Sequence, residues 1–121
     1  MRLIFVLLII LCNQIIYSQE QMFEICPLKV GEEIPIATII DKNNQEVLLS
    51  ELISEKPTIL IFYRGAWCGY CTKHLSELNA IREEVDSLGY DMLGITVDQS
   101  SKLEESNERS ESEIEVYSDS K

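Results

Sequence analysis

Positive charge is scarce in this sequence: ten Lys and Arg stand against 21 Asp and Glu, a formal net charge of −11. Such a chain has little electrostatic attraction for nucleic acid or an anionic membrane, so neither is expected as a partner. His74 is the only histidine. Thr72, not His, follows the second cysteine of the Cys68–Cys71 pair, which excludes c-type haem attachment. A second paired cysteine cluster is also missing. Structural zinc needs four ligands, and Cys68, Cys71 and His74 would supply three, with Cys26 joining only by accident of folding. No metal or other cofactor is therefore expected. There are no internal repeats, and no apolar run spans a membrane. A helix over residues 3–17 would be about 22 Å long, against a hydrocarbon core of about 30 Å.

That N-terminal run has another reading. Arg2 is a minimal positive start, Leu3 to Leu11 is an apolar stretch of nine, and Ile16-Tyr17-Ser18 offers cleavage before Gln19. This is the layout of a secretory signal peptide over residues 1–18. A lipoprotein reading of Cys12 is disfavoured by the bulky Leu11 before it. Export to the periplasm or the extracellular space is expected, with no membrane association after cleavage. Disulfides persist there. The cysteines left are Cys26, Cys68 and Cys71, an odd number, so they are not a closed framework of bridges. Cys26 is expected free or in an intermolecular bridge.

Residues 19–35 read as an extended lead-in broken by Pro27, Gly31 and Pro35. Residues 36–121 read as one α/β domain. Residues 36–40 and 46–49 form a strand pair across the turn Asp41 to Gln45, and Ser50 can cap a short helix, 51–54. Thr58 to Tyr63 is continuously apolar, the mark of a strand buried on both faces. After the cysteine pair, Leu75, Leu78, Ile81, Val85 and Leu88 make one helical stripe ending at Gly89. Met92 to Val97 is a second buried strand. Strand, helix and strand make a βαβ unit with parallel strands. Ser101 and Glu104 fit a capping box. The helix behind it has only Leu103 as a large apolar residue and is expected to be solvated and weakly held. Residues 114–117 can be a last strand. The acidic excess is strongest from Asp98 onward, with eight acidic and three basic residues.

The cysteine pair lies where the first βαβ strand ends and its helix begins. A static disulfide closing so short a loop staples little. The first turn of a helix offers free N–H groups and the positive end of the dipole, which stabilise a thiolate. A second cysteine one turn away can resolve a mixed disulfide or a sulfenic acid. Trp67 offers an apolar flank for docking a substrate. C-x-x-C beside a βαβ pattern points to a thioredoxin-like redox site.

The stretch FYRGAWCGYC, Phe62 to Cys71, resembles the F-Y-R-G-x-W-C-P-Y-C signature of peroxiredoxin-like proteins of the AhpC/TSA family (alkyl hydroperoxide reductase/thiol-specific antioxidant). The resemblance runs from about Cys26 to Lys121 and implies a thioredoxin-like fold. Gly69 stands where the family usually has Pro. The family fold also continues with a cis-proline loop, a strand pair and a final helix. Pro27, Pro35 and Pro57 all precede the dithiol, so the resemblance implies a fold incomplete at the C-terminus.

The sequence thus reads as an exported thiol–disulfide or peroxide oxidoreductase, with a peroxide or protein disulfide as substrate and a thiol reductant or redox protein as partner. The alternative is an impaired fragment acting as a binding module. Cys68 is favoured as nucleophile because of exposure and the helix terminus, with Cys71 as resolver. A peroxiredoxin register would instead make Cys71 the attacking residue, with Arg64 near it as a thiolate stabiliser. An open sheet edge would invite self-association.

Overall fold

The computed structural model describes residues 27–120. The expected signal peptide and Cys26 lie outside the described residues. The chain divides into two units, Met1–Ile34 and Pro35–Lys121. In the first, residues 27–34 form no helix or strand, and a turn is closed by the Glu32 N–H donating to the Lys29 carbonyl at 3.1 Å. Among the described residues no helix is long and apolar enough to cross a membrane.

The second unit opens with a hairpin, β1 (Thr38–Ile40) and β2 (Glu46–Leu48), paired antiparallel. Asp41 makes the turn: its carboxylate accepts the N–H groups of Asn43 and Gln45 at 2.9 and 2.8 Å. The short helix α1 (Leu49–Leu52) follows directly. Next come β3 (Thr58–Tyr63), α2 (Gly69–Ala80), α3 (Arg82–Ser87) and β4 (Asp91–Thr96). A 3-10 turn (Ser100–Lys102), α4 (Leu103–Ser110) and β5 (Glu115–Ser118) complete the unit. The sheet order is β2-β1-β5-β4-β3. β3 and β4 are parallel in register from Thr58↔Asp91 to Tyr63↔Thr96. β5 runs parallel to β4 and meets β1 antiparallel at Ile40↔Ser118. The expected α/β class, hairpin and βαβ unit are all present.

Two apolar layers flank the sheet. On one side Ile61, Tyr63, Met92 and Val116 pack with Leu75, Leu103 and Ile114, and the partly buried Cys71, Leu78 and Val85 join them. On the other, Ile39, Leu49, Leu93, Ile95 and Tyr117 cluster with Leu60 and the α1 residue Leu52.

Several details depart from the sequence expectations. Ser50 does not cap a helix over 51–54: α1 starts at Leu49, whose N–H bonds the Ala37 carbonyl at 2.9 Å, so Leu48 is the cap and Ser50 lies inside the helix. Val97 lies past the end of β4 and is exposed rather than buried in it. The run Thr58 to Tyr63 is not buried on both faces: Ile59 is 41% exposed and Phe62 73%. Among the described residues β3 is the last strand in the sheet order and has one neighbouring strand, and an apolar run alone does not separate an edge from an interior strand. The single long helix is two. Ile81, at φ −105° and ψ 6°, interrupts it. The stripe breaks with it, leaving Ile81 45% and Leu88 69% exposed.

The capping box does not form either. Lys102 occupies the cap of α4 without a side-chain cap bond, because the 3-10 turn already leads into the helix. Nor is α4 weakly held. Leu103, Ser106 and Ser110 are all buried, spaced three and four residues apart on one face. Small hydroxyl side chains let this helix approach the sheet closely, and the Ser110 hydroxyl returns to the Ser106 carbonyl at 2.8 Å.

Candidate active site

The dithiol sits at the carboxyl end of β3, where the chain turns into α2. Cys68 is the cap residue of α2, extended at φ −90° and ψ 102°. Its carbonyl accepts the Thr72 N–H at 3.0 Å and the Thr72 hydroxyl at 3.1 Å. Cys71 lies one turn on, with its sulfur 2.7 Å from that of Cys68, and both are free thiols. A helical turn therefore brings the pair together, as the spacing predicts.

The two thiols differ in environment. The Cys71 thiol, donating to Cys68, holds the Cys68 thiol below its usual range, and the Cys71 N–H and the Arg64 charge act the same way. Burial pushes the Cys71 thiol up, aided by the neighbouring Cys68 sulfur; the N–H groups of Arg64 and Gly65 partly oppose this. The lowered group is the cap residue of α2, bonded first by the Cys71 thiol and then by the N–H groups of Cys71 and Tyr70. Exposure runs the other way from the sequence expectation: Cys68 is buried and Cys71 is only partly buried.

Arg64 and Trp67 form a pair. The guanidinium carbon lies 4.6 Å from the centre of the indole ring. Trp67 is 57% exposed, so it flanks the dithiol on the surface, as substrate docking would need. Stacking holds the Arg64 charge near Cys68. His74 is exposed on α2. Among the described residues no group of three or more His, Cys, Asp or Glu side chains could hold a metal ion.

Three residues of the site were not singled out from the sequence. Tyr63 is buried at the end of β3, and its hydroxyl lies 2.9 Å from that of Ser106. Burial raises its pKa. Asp98, just after β4, accepts the Ala66 N–H at 2.8 Å. Gly65 has φ +145°, and a Cβ there would overlap the Asp98 carboxylate. A glycine at this sharp strand exit was a visible signal; Asp98 had none, because the contact joins residues far apart in sequence. A cleft of about 540 Å³ lies elsewhere, lined by Asp41, Leu103, Asn107 and Tyr117 among others, and includes neither cysteine.

Comparison with known proteins places this geometry. Residues 30–121 match the AhpC/TSA family. The chain is 32% identical over 93 residues to a putative peroxiredoxin bcp of Haemophilus influenzae, covering 77% of this chain and 59% of that protein. It is 30% identical over 77 residues to peroxiredoxin Bcp of Escherichia coli, covering 64% of this chain and 49% of that protein. The chain thus spans about half to three fifths of the length of these relatives. Among solved structures, peroxidoxin BcpB from Mycobacterium tuberculosis superposes with a TM-score of 0.69 at 25% identity, covering 77% of this chain and 60% of that one. Reduced Prx3 from Vibrio vulnificus, solved with hydrogen peroxide, gives a TM-score of 0.70 at 20% identity, covering 77% of this chain and 62% of that one. The sheet and its crossover match the thioredoxin-like fold of these structures, and the chain belongs to the AhpC/TSA family.

Proposed function

We propose that this chain is a thiol-dependent peroxidase whose working groups are Cys68 and Cys71. The observation that carries this reading is the free thiol pair, 2.7 Å apart at a helix N-terminus, with one thiol lowered and the other raised. The relatives' naming as peroxiredoxins supports a peroxide as the substrate over a protein disulfide.

In the proposed cycle the Cys68 thiolate attacks one oxygen of the peroxide. The O–O bond breaks, leaving a sulfenic acid on Cys68, and the departing oxygen takes a proton to leave as an alcohol or water. Cys71 then attacks the sulfenic sulfur, an S–S bond forms, and water leaves. An external dithiol reduces the disulfide and is itself oxidised. Arg64 favours the Cys68 thiolate through its charge. The Trp67 face offers apolar contact to the incoming substrate.

A second assignment has its own support. The N–H groups of Arg64 and Gly65 favour a thiolate on Cys71, and Cys71 is the more exposed thiol. With the roles exchanged the balance of atoms is the same. Trapping the sulfenic acid with a dimedone probe decides between them. After one equivalent of peroxide, the proposal expects label on Cys68 in Cys71→Ser and none on Cys71 in Cys68→Ser. Label on Cys71 alone reverses the roles. Unchanged peroxide turnover in both variants would end the peroxidase reading. Residues 1–18 support export of the protein as a further part of this proposal.

A further inference from the structure

Asp98 links the reactive loop to the interior of the sheet, a role that neither the family match nor the dithiol motif assigns. Among the described residues β3, which delivers the cysteines, is an edge strand, and its carboxyl end has strand support on one side. The loop after it makes two bonds through one peptide group. The Ala66 N–H of the Gly65–Ala66 peptide donates to Asp98 Oδ2 at 2.8 Å. The Gly65 carbonyl of the same peptide accepts the Cys68 N–H at 3.1 Å. A peptide group is planar, so fixing its N–H fixes its carbonyl.

Asp98 is itself held by the strands. Its N–H donates to the Thr96 hydroxyl at 3.2 Å, and its carbonyl accepts the Ser118 hydroxyl. Thr96 and Ser118 are 2% and 0% exposed, at the ends of β4 and β5. Gly65 completes the fit, since a side chain there would displace the carboxylate.

We propose that Asp98 is a positioning residue for the dithiol: its carboxylate locks the Gly65–Ala66 peptide, and that peptide holds the Cys68 backbone at the end of α2. The inference rests on the thiol-redox reading of the Cys68–Cys71 pair. When the lock is lost, the loop samples other orientations. Cys68 then leaves the N–H groups of Tyr70 and Cys71 for part of the time, and the Arg64 and Gly65 N–H groups turn from Cys71. Both changes disfavour a thiolate. The thiols are otherwise faced by each other and by Arg64 from the same loop, with Tyr63 from β3 beside Cys71.

The test uses the full chain with Asp98→Asn, which keeps an acceptor and loses the charge, and Asp98→Glu, which keeps the charge and displaces the acceptor. The pH profile of iodoacetamide alkylation is read at each cysteine by mass spectrometry. The expected result is a parent-like profile in D98N. In D98E the midpoint of the earlier-titrating thiol should rise by about half a pH unit or more, roughly a threefold loss of rate at neutral pH. An unshifted D98E, or a D98N that shifts as far as D98E, would overturn the proposal. Should D98E not fold, amide exchange in the parent still decides: Ala66 N–H must be protected, and exchange at an open-loop rate refutes the lock. Peroxide consumption by the parent is measured separately. Its absence counts against the peroxidase reading alone, because alkylation needs no peroxide.

Discussion

The hydroxyls of Tyr63 and Ser106 lie 2.9 Å apart in a buried contact between β3 and α4. The bond fastens the last residue of the edge strand, one residue before Arg64, to a helix that carries little apolar surface of its own. It also satisfies two polar groups that burial would otherwise leave costly. The dithiol is therefore presented by a strand supported from the helix side as well as from β4.

Removing one hydroxyl tests that support. Tyr63→Phe leaves the Ser106 hydroxyl buried without its Tyr63 partner, at a cost of about 1–2 kcal/mol. For a unit of this size that lowers Tm by roughly 4–8 °C per kcal/mol. Thermal melts by circular dichroism would show it; an unchanged Tm would mean the contact contributes nothing.

The opposite pKa shifts of the thiols set an order of modification. Cys68, lowered, keeps its thiolate to lower pH, while Cys71, raised, remains protonated. Substoichiometric iodoacetamide at neutral pH should label Cys68 first. In Cys71→Ala the donor to Cys68 is lost, so the Cys68 midpoint should move up. Peptide mass mapping reads both, and equal labelling of the two cysteines would contradict the assigned shifts.

Gly69 stands at the first position of α2, and a Cβ there would meet nothing within 4 Å. Cys68 before it is extended, the conformation that a following proline demands. Gly69→Pro should therefore stabilise the fold by about 0.4–1 kcal/mol through the unfolded chain. A lower midpoint in urea would show that the loop needs the freedom of glycine.

The two faces of β3 should respond unequally. Ile61 is 7% exposed and Phe62 73%. Truncation of Ile61 to Ala is expected to cost about 2–4 kcal/mol, and truncation of Phe62 within about 0.5. Chemical denaturation measures both. A large loss at Phe62 would place that ring against a surface the described residues do not include.

The proposed export makes a direct prediction about the N-terminus. Secreted protein recovered from outside the cytoplasm should begin at Gln19. N-terminal sequencing would show it, and a retained Met1 on the exported protein would rule out cleavage.

Much of the site was legible because its chemistry is local. Two cysteines three positions apart at a strand-to-helix boundary meet on one helical turn wherever that turn forms, and Arg64 and Trp67 are near enough in sequence to join them. Tyr63 was visible only as part of an apolar run, and Asp98 only as the start of an acidic stretch. Their partners, Ser106 and Ala66, lie far along the chain, so no window of sequence holds either pair. The burial of helix α4 depends on distant residues in the same way. A face of Leu103, Ser106 and Ser110 looks solvated until a sheet approaches closely enough to need small side chains.

The sequence by itself determined the α/β class, the hairpin, the parallel crossover and the dithiol, since periodicity and turn residues act over a few positions. Tertiary structure decided which of the described strands lies at the edge, where the long helix breaks, and that Asp98 meets the Ala66 N–H. Those outcomes depend on strand order, close packing and the direction of particular N–H groups. Each is set by residues that meet only after the chain has folded.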